Sequence, residues 1–159
     1  MRITIHAVGR MKAGPERDLV ARYLDRFAKT GPALGIEFAG VTEIAESQAR
    51  SAEQRMRDEA DKLDNVLADA TLVLLDERGK NMTSPAFADY VSKHNDGGRK
   101  HMVIAIGGAD GHDASLRARA DLLLSFGALT WPHQIVRVLL AEQLYRASTI
   151  LSNHPYHRV

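Results

Sequence analysis

The chain opens on RITIHAV, where apolar and polar side chains alternate with the two-residue period of a strand, and the pattern predicts one over Arg2–Val8. The period then changes. Gly14 and Pro15, followed by Glu16 and Asp18, mark a helix start with acids in its first turn, and Leu19, Val20, Tyr23, Leu24 and Phe27 supply a single apolar stripe. Residues 36–41 read as a second strand, 47–67 as a charged helix with Met56, Ala60, Leu63 and Leu67 on one face, and 71–75 as a wholly apolar strand. Ser84 and Pro85 open a further helix bearing Phe87, Tyr90 and Val91, and 101–106 and 121–124 are the remaining strands.

Strands and helices alternate throughout, with no repeat, linker or low-complexity tract, so the expected class is α/β: a mainly parallel sheet covered by helices, in a single domain over 1–159. The final helix, about 132–151, is of a different kind. Ile135, Val136, Val138, Leu139, Leu140, Leu144, Tyr145, Ile150 and Leu151 wrap most of its circumference, more than one sheet face can bury. Two arrangements meet this requirement: a second copy of the same surface, as in a symmetric homodimer, or a helix sandwiched inside one subunit. The small number of other elements favours the first. Glu142 and Arg146, at i and i+4, are placed to pair on the polar strip.

Composition removes several chemistries. The absence of cysteine excludes disulfides, thiolate ligands and thiol nucleophiles, and the seven histidines show no HExxH-like spacing, so no metal site is expected. No apolar run approaches the roughly 18 residues of a membrane span, and the opening strand lacks a secretion signal's apolar stretch, so a cytoplasmic protein with no membrane partner is expected. The net charge of +1 does not advertise nucleic acid, although from Leu122 onward Glu142 is the sole acid against Arg137, Arg146 and Arg158. Those arginines are either a phosphate-binding face or solvated and interface groups.

Three apolar strands each end in a turn-rich segment: LDERGK after Leu74, IGGADG from Ile106 and SFGALTWPH from Ser125. Ligands of parallel α/β sheets bind at the carboxyl ends of strands, so the three segments are expected to line one pocket. Gly107, Gly108 and Gly111 match neither GxGxxG nor a P-loop, and alone they fit a plain strand-to-helix turn as well as a binding loop. The tail SNHPYHRV gathers His154, Tyr156, His157 and Arg158: a base, a stacking ring and a phosphate ligand, or simply a frayed terminus.

LDERGK, IGGADG, LTWPHQIVRVLLAEQLYRASTI and NHPYHR together resemble the SPOUT methyltransferases, and looser agreement in ITIHAVGRMK and RYLDRF extends the resemblance over the whole chain. The resemblance implies a SPOUT-type α/β knot: a parallel sheet with helices on both faces and a C-terminal trefoil knot that holds S-adenosylmethionine, with the last helix in a homodimer interface. By position, Leu75, Gly107, Phe126, Gly127, Ala128, Leu129, Thr130 and Trp131 would hold the cofactor. Small members of the family methylate the N3 of a pseudouridine in 23S ribosomal RNA. His133, His154, Tyr156 and Arg158 are then the candidates for substrate positioning or proton transfer. The near-neutral charge points to a substrate shaped by the assembled ribosome rather than naked RNA. The competing readings are a noncatalytic ribosome- or RNA-binding module with a vestigial cofactor pocket, and a nucleotide-dependent oxidoreductase, against which the missing dinucleotide fingerprint speaks.

Overall fold

The computed structural model describes residues 1–157. Five strands, β1 (Arg2–Val8), β2 (Glu37–Ile44), β3 (Thr71–Asn81), β4 (His101–Ile106) and β5 (Leu122–Ser125), form one sheet in the order β2-β1-β4-β3-β5. Every pairing is parallel. Helices α1 (Pro15–Thr30), α3 (Ser84–Asp96) and α5 (His133–Leu151) cover one face, and α2 (Ala52–Leu67) and α4 (Ala114–Arg119) the other. The two-residue period sorts the side chains between them. Ile3, Ile5, Val73, Met102 and Ile104 enter the core under α1, α3 and α5, whereas Leu72, Leu74, Val103 and Ala105 meet Leu63 and Leu67 of α2 and Leu116 of α4.

The expected elements are present with shifted edges. β2 continues to Ile44 because, past a one-residue register shift between Ile3 and Ile5, it stays paired with β1 as far as Val8. The second helix begins at Ala52 rather than Ser47: Ser51 caps it by accepting from the Gln54 amide at 3.2 Å, while Ser47 bonds Asp58 (2.7 Å) and Glu59 (3.0 Å) from an extended segment. In α3 the cap is Thr83, whose hydroxyl accepts from the Ala86 amide, with Ser84 and Pro85 already in the first turn. α4 escaped the sequence reading because six residues are too few to show a helical period, although Asp113 caps it through the Ser115 amide at 2.8 Å.

One segment differs in kind. LDERGK is not a loop, because β3 runs through it to Asn81, and after a register break Lys80 and Asn81 pair with Leu124 and Ser125 of β5. Gly79 permits this close approach, since a Cβ there would lie 2.6 Å from the Leu123 carbonyl carbon. The last helix is enclosed between α1 and α3 more fully than its apolar circumference suggested. Leu140, Ala141 and Leu144 have no exposed surface, and every residue of α5 is buried or half-buried. Half-buried Val136, Ile150 and Leu151 pack on the core, whereas half-buried Ile135, Val138 and Leu139, at its amino-terminal half, are not among the residues that do. Trp131 and Leu129, exposed by 39% and 70%, continue that strip into the preceding turn.

Candidate functional site

The carboxyl ends of β3, β4 and β5 surround a cavity of about 490 Å³, within the range of small-molecule sites. Leu75 and the β3 bulge of Asp76, Glu77 and Arg78 form one wall, and Gly107–Gly111 a second. Phe126, Gly127, Leu129, Thr130 and Trp131 make the third, closed by His133 and Val136 at the start of α5. Seven of the eight expected cofactor residues therefore border one space. Ala128 is exposed in the same turn and does not line it.

Local chemistry holds these walls in shape. Gly111 adopts a φ of +83° and its amide bonds the Gly108 carbonyl at 3.0 Å, closing the glycine loop on itself. The loop lies tight against its surroundings: a Cβ on Gly107 would come within 3.1 Å of the Gly111 backbone, and one on Gly108 within 2.7 Å of the Glu59 carboxylate. Arg55 of α2 grips Asp110 through two bonds of 2.7 and 3.0 Å, which hold that carboxyl below the usual carboxylate range. Across the cavity the Ser125 hydroxyl accepts from the Gly127 amide at 3.1 Å and sits 3.2 Å from the Glu77 carbonyl, pinning the turn to the β3 bulge. Asp76, with a side chain 9% exposed, pairs with Arg117 of α4 at 2.9 Å. No local pattern announces this pair or the Arg55–Asp110 pair, because each joins residues more than forty positions apart.

Beneath the glycine loop lies an unexpected group. His6 of β1 is 1% exposed, shares a void of about 10 Å³ with Glu59, His112 and Asp113, and has no hydrogen-bond partner on either nitrogen among the described residues. Burial, with His112 alongside, lowers its pKa to about 4, so it is neutral at pH 7. Burial also lowers the His112 pKa, against the opposing pull of Asp76 and the Leu75 and Ala105 carbonyls.

The tail is ordered as far as it is described, but away from this cavity. The His154 amide bonds the Thr149 carbonyl at 2.8 Å and ends α5, with Asn153 at a φ of +53°. The Tyr156 ring packs 4.7 Å from that of Tyr145, its hydroxyl donates to Glu142 at 3.0 Å, and Arg146 lies over its face at 4.9 Å. Burial and those bonds push the Tyr156 phenol well above its ordinary pKa, so it acts as a donor. Glu142 and Arg146 form the expected pair at 2.9 Å. At a rise of 1.5 Å per residue, these partners sit roughly 14–20 Å along α5 from His133. Within one chain, then, His133 borders the cavity whereas His154 and Tyr156 do not. Arg158 lies outside the described residues.

Fold and site together define an α/β protein with a cavity at the carboxyl edge of a parallel sheet, built from three strand ends and the first turn of a long helix. A family model described as "Predicted SPOUT methyltransferase" matches residues 1–157. Proteins named "Ribosomal RNA large subunit methyltransferase H" are 64% identical in Mesorhizobium japonicum and 60% in Brucella anthropi, each match covering 99% of both chains. One from Agrobacterium fabrum is 62% identical over the full length of both. The chain belongs to the SPOUT methyltransferase family. A probable methylase family protein of Haemophilus influenzae superposes with a TM-score of 0.47 and 11% identity over 99% of this chain and 70% of that one, a likeness too loose to add to the assignment.

Proposed function

We propose that the protein transfers a methyl group from S-adenosylmethionine to the N3 of a pseudouridine in 23S ribosomal RNA, acting in the cytoplasm as a homodimer on the assembled ribosome, with the whole chain as one domain. The observation that carries this reading is the cavity at the ends of β3, β4 and β5 in a member of a methyltransferase family. The ribosomal RNA substrate is supported by the names of the relatives.

The residues present fit the cofactor. Side-chain-free backbone at Gly107, Gly108 and Gly111 allows close approach of a flat ring or a carboxylate, and Leu75, Phe126, Leu129 and Trp131 provide apolar walls. In this reading the knotted turns of the carboxyl-terminal half hold the cofactor, which supplies an electrophilic methyl group. The chain's own part is to align the acceptor nitrogen with that methyl and exclude water.

The N3 of a pseudouridine carries an imide proton and is a weak nucleophile until that proton leaves, so a base or an anion-stabilising group must stand close. His133, on the cavity wall at the uncapped start of α5, is one candidate. His154, Tyr156 and Arg158 are the others, and the distance along α5 favours His154 and Tyr156 acting in the partner's cavity. The half-covered strip from Leu129 and Trp131 through Ile135, Val138 and Leu139 is the natural seam for such a pair of copies.

Incubation of unmodified ribosomes with the purified protein and isotopically labelled S-adenosylmethionine, followed by mass spectrometry of the RNA, is expected to show one labelled N3-methylpseudouridine in the large-subunit RNA. No labelled nucleoside would overturn the assignment. Equal rates on isolated RNA would overturn its ribosomal part.

A further inference from the structure

A second cavity, of about 330 Å³, opens beside the first and has no role in the reading above. It lies at the carboxyl ends of β1 and β2, under the Gly9–Gly14 loop and the first turns of α1. Its apolar floor includes Ile106, which the first cavity also touches. Adjacent residues of α5 divide the two, Val136 facing the first and Arg137 the second.

The charges at this second mouth are of two kinds. Arg137 is 6% exposed and fully engaged, pairing with Glu43 and donating to the Val8 and Gly9 carbonyls, so Arg137 and Glu43 together contribute no net charge. Arg10 and Arg17, by contrast, are exposed on the lining, and among the described residues neither forms an ion pair. The surrounding segment carries the same sign. Residues 9–30 hold six cations against Glu16, Asp18 and Asp25, a net of +3 in a chain whose total is +1, so the remainder is net negative. The carboxyl-terminal arginines are not equivalent, because Arg137 and Arg146 are both spent on carboxylates.

We propose that this second cleft binds the sugar-phosphate backbone of single-stranded RNA flanking the methylated base, with Arg10 and Arg17 on successive phosphates and Met11, Val20 and Val41 against a sugar or base. The assignment rests on the methyltransferase reading for the identity of the RNA, and on the cleft's own charge and its shared wall for the contact. Unpaired cations over an apolar groove are the combination that holds single strands, whereas a neutral metabolite would find no use for two free guanidinium groups. The arrangement places backbone anchoring and the methyl donor on the two sides of the start of α5.

The test compares R10A/R17A with the native protein in sedimentation binding to unmodified large ribosomal subunits across a salt series, with calorimetric binding of S-adenosylmethionine alongside. Two lost phosphate contacts, at a salt exponent of about 0.7 each, are expected to flatten the log–log salt slope by about 1.4 and to weaken binding about tenfold or more near 0.1 M salt. Cofactor affinity should stay unchanged, and R10K/R17K should restore the slope. K62A, on the opposite sheet face, should match the native protein throughout. An unaltered slope in R10A/R17A, a failure of the lysine variant to restore it, or an equal loss in K62A would each overturn the proposal. Failure of the native protein to bind S-adenosylmethionine would sink the methyltransferase reading instead, leaving the ribosome-binding comparison intact.

Discussion

Replacing His6 with leucine tests how the space under the glycine loop is built. The imidazole stands in neutral form against Leu63, Ala105 and Leu116, with Glu59, His112 and Asp113 as the titratable groups around its void. Its pKa moves from 6.5 in the open chain to about 4 in the fold. Between those values the unfolded chain takes up a proton at this position and the native protein does not. Stability linked to His6 is therefore complete above pH 6.5 and is lost as pH falls towards 4, below which the native imidazole also protonates. At about 1.4 kcal/mol per pH unit, the full loss is about 3 kcal/mol. Leucine has similar bulk and no ring nitrogens to desolvate, so His6→Leu should be at least as stable at pH 7.5. Urea unfolding at pH 7.5 and 4.5 is the assay. Both proteins weaken at the lower pH through His101 and His112, whose values burial also lowers, and less through carboxyls such as Asp58, Asp110 and Asp113, but that loss is common to both. The native protein should lose about 2–3 kcal/mol more than His6→Leu over this interval. Parallel losses would show that the imidazole is not held neutral, and the account of the void would be wrong.

Gly79→Ala should destabilise by about 1–3 kcal/mol and lower cofactor affinity, because the new Cβ meets the β5 backbone at Leu123 and Leu124. Gly108→Ala, which meets only the Glu59 side chain, should cost less by urea midpoint, and the reverse order would refute the argument. Arg137→Met strips the Val8 and Gly9 carbonyls of a donor and leaves Glu43 unpaired. A loss of about 3 kcal/mol is expected, some 6–12 °C in Tm, and a shift under about 2 °C would contradict the role of this pair. Removing residues 153–159 should leave a folded protein that binds S-adenosylmethionine but no longer methylates ribosomes, so native-like activity would exclude a catalytic tail.

The sequence read most clearly where one force acts alone. β1 has the bounds its alternation indicated, because one period decides it, and the three strand ends converge as the parallel topology requires. Where backbone geometry overrides composition, the reading failed. Asp76–Lys80 has the residues of a turn, yet Gly79 lets the segment lie against β5 and continue as strand. α5 took a tertiary answer. Of the two covers its apolar girdle allowed, a second copy or enclosure within one subunit, α1 and α3 supply the second over its carboxyl-terminal half, where Thr30 reaches across to Ser148 at 2.6 Å. Arg137, which the pattern puts either on a phosphate-binding face or among solvated and interface groups, is instead buried against Glu43, a residue 94 positions away that no local pattern connects to it.

The extension of β3 also dictates how the main cavity exchanges its contents. Asp76–Arg78 is tethered at both ends, upstream by Leu75 beside Ile106 and downstream by Lys80 and Asn81 along β5, so this rim behaves as a fixed sill rather than a door. The glycine rim is anchored as well, by Arg55. Traffic in and out must then pass the Phe126–Pro132 side, where Leu129 and Trp131 face water. In the homodimer proposed above, the dwell time of an occupant would follow how readily that one turn yields, and the second copy seated over it would act as a latch.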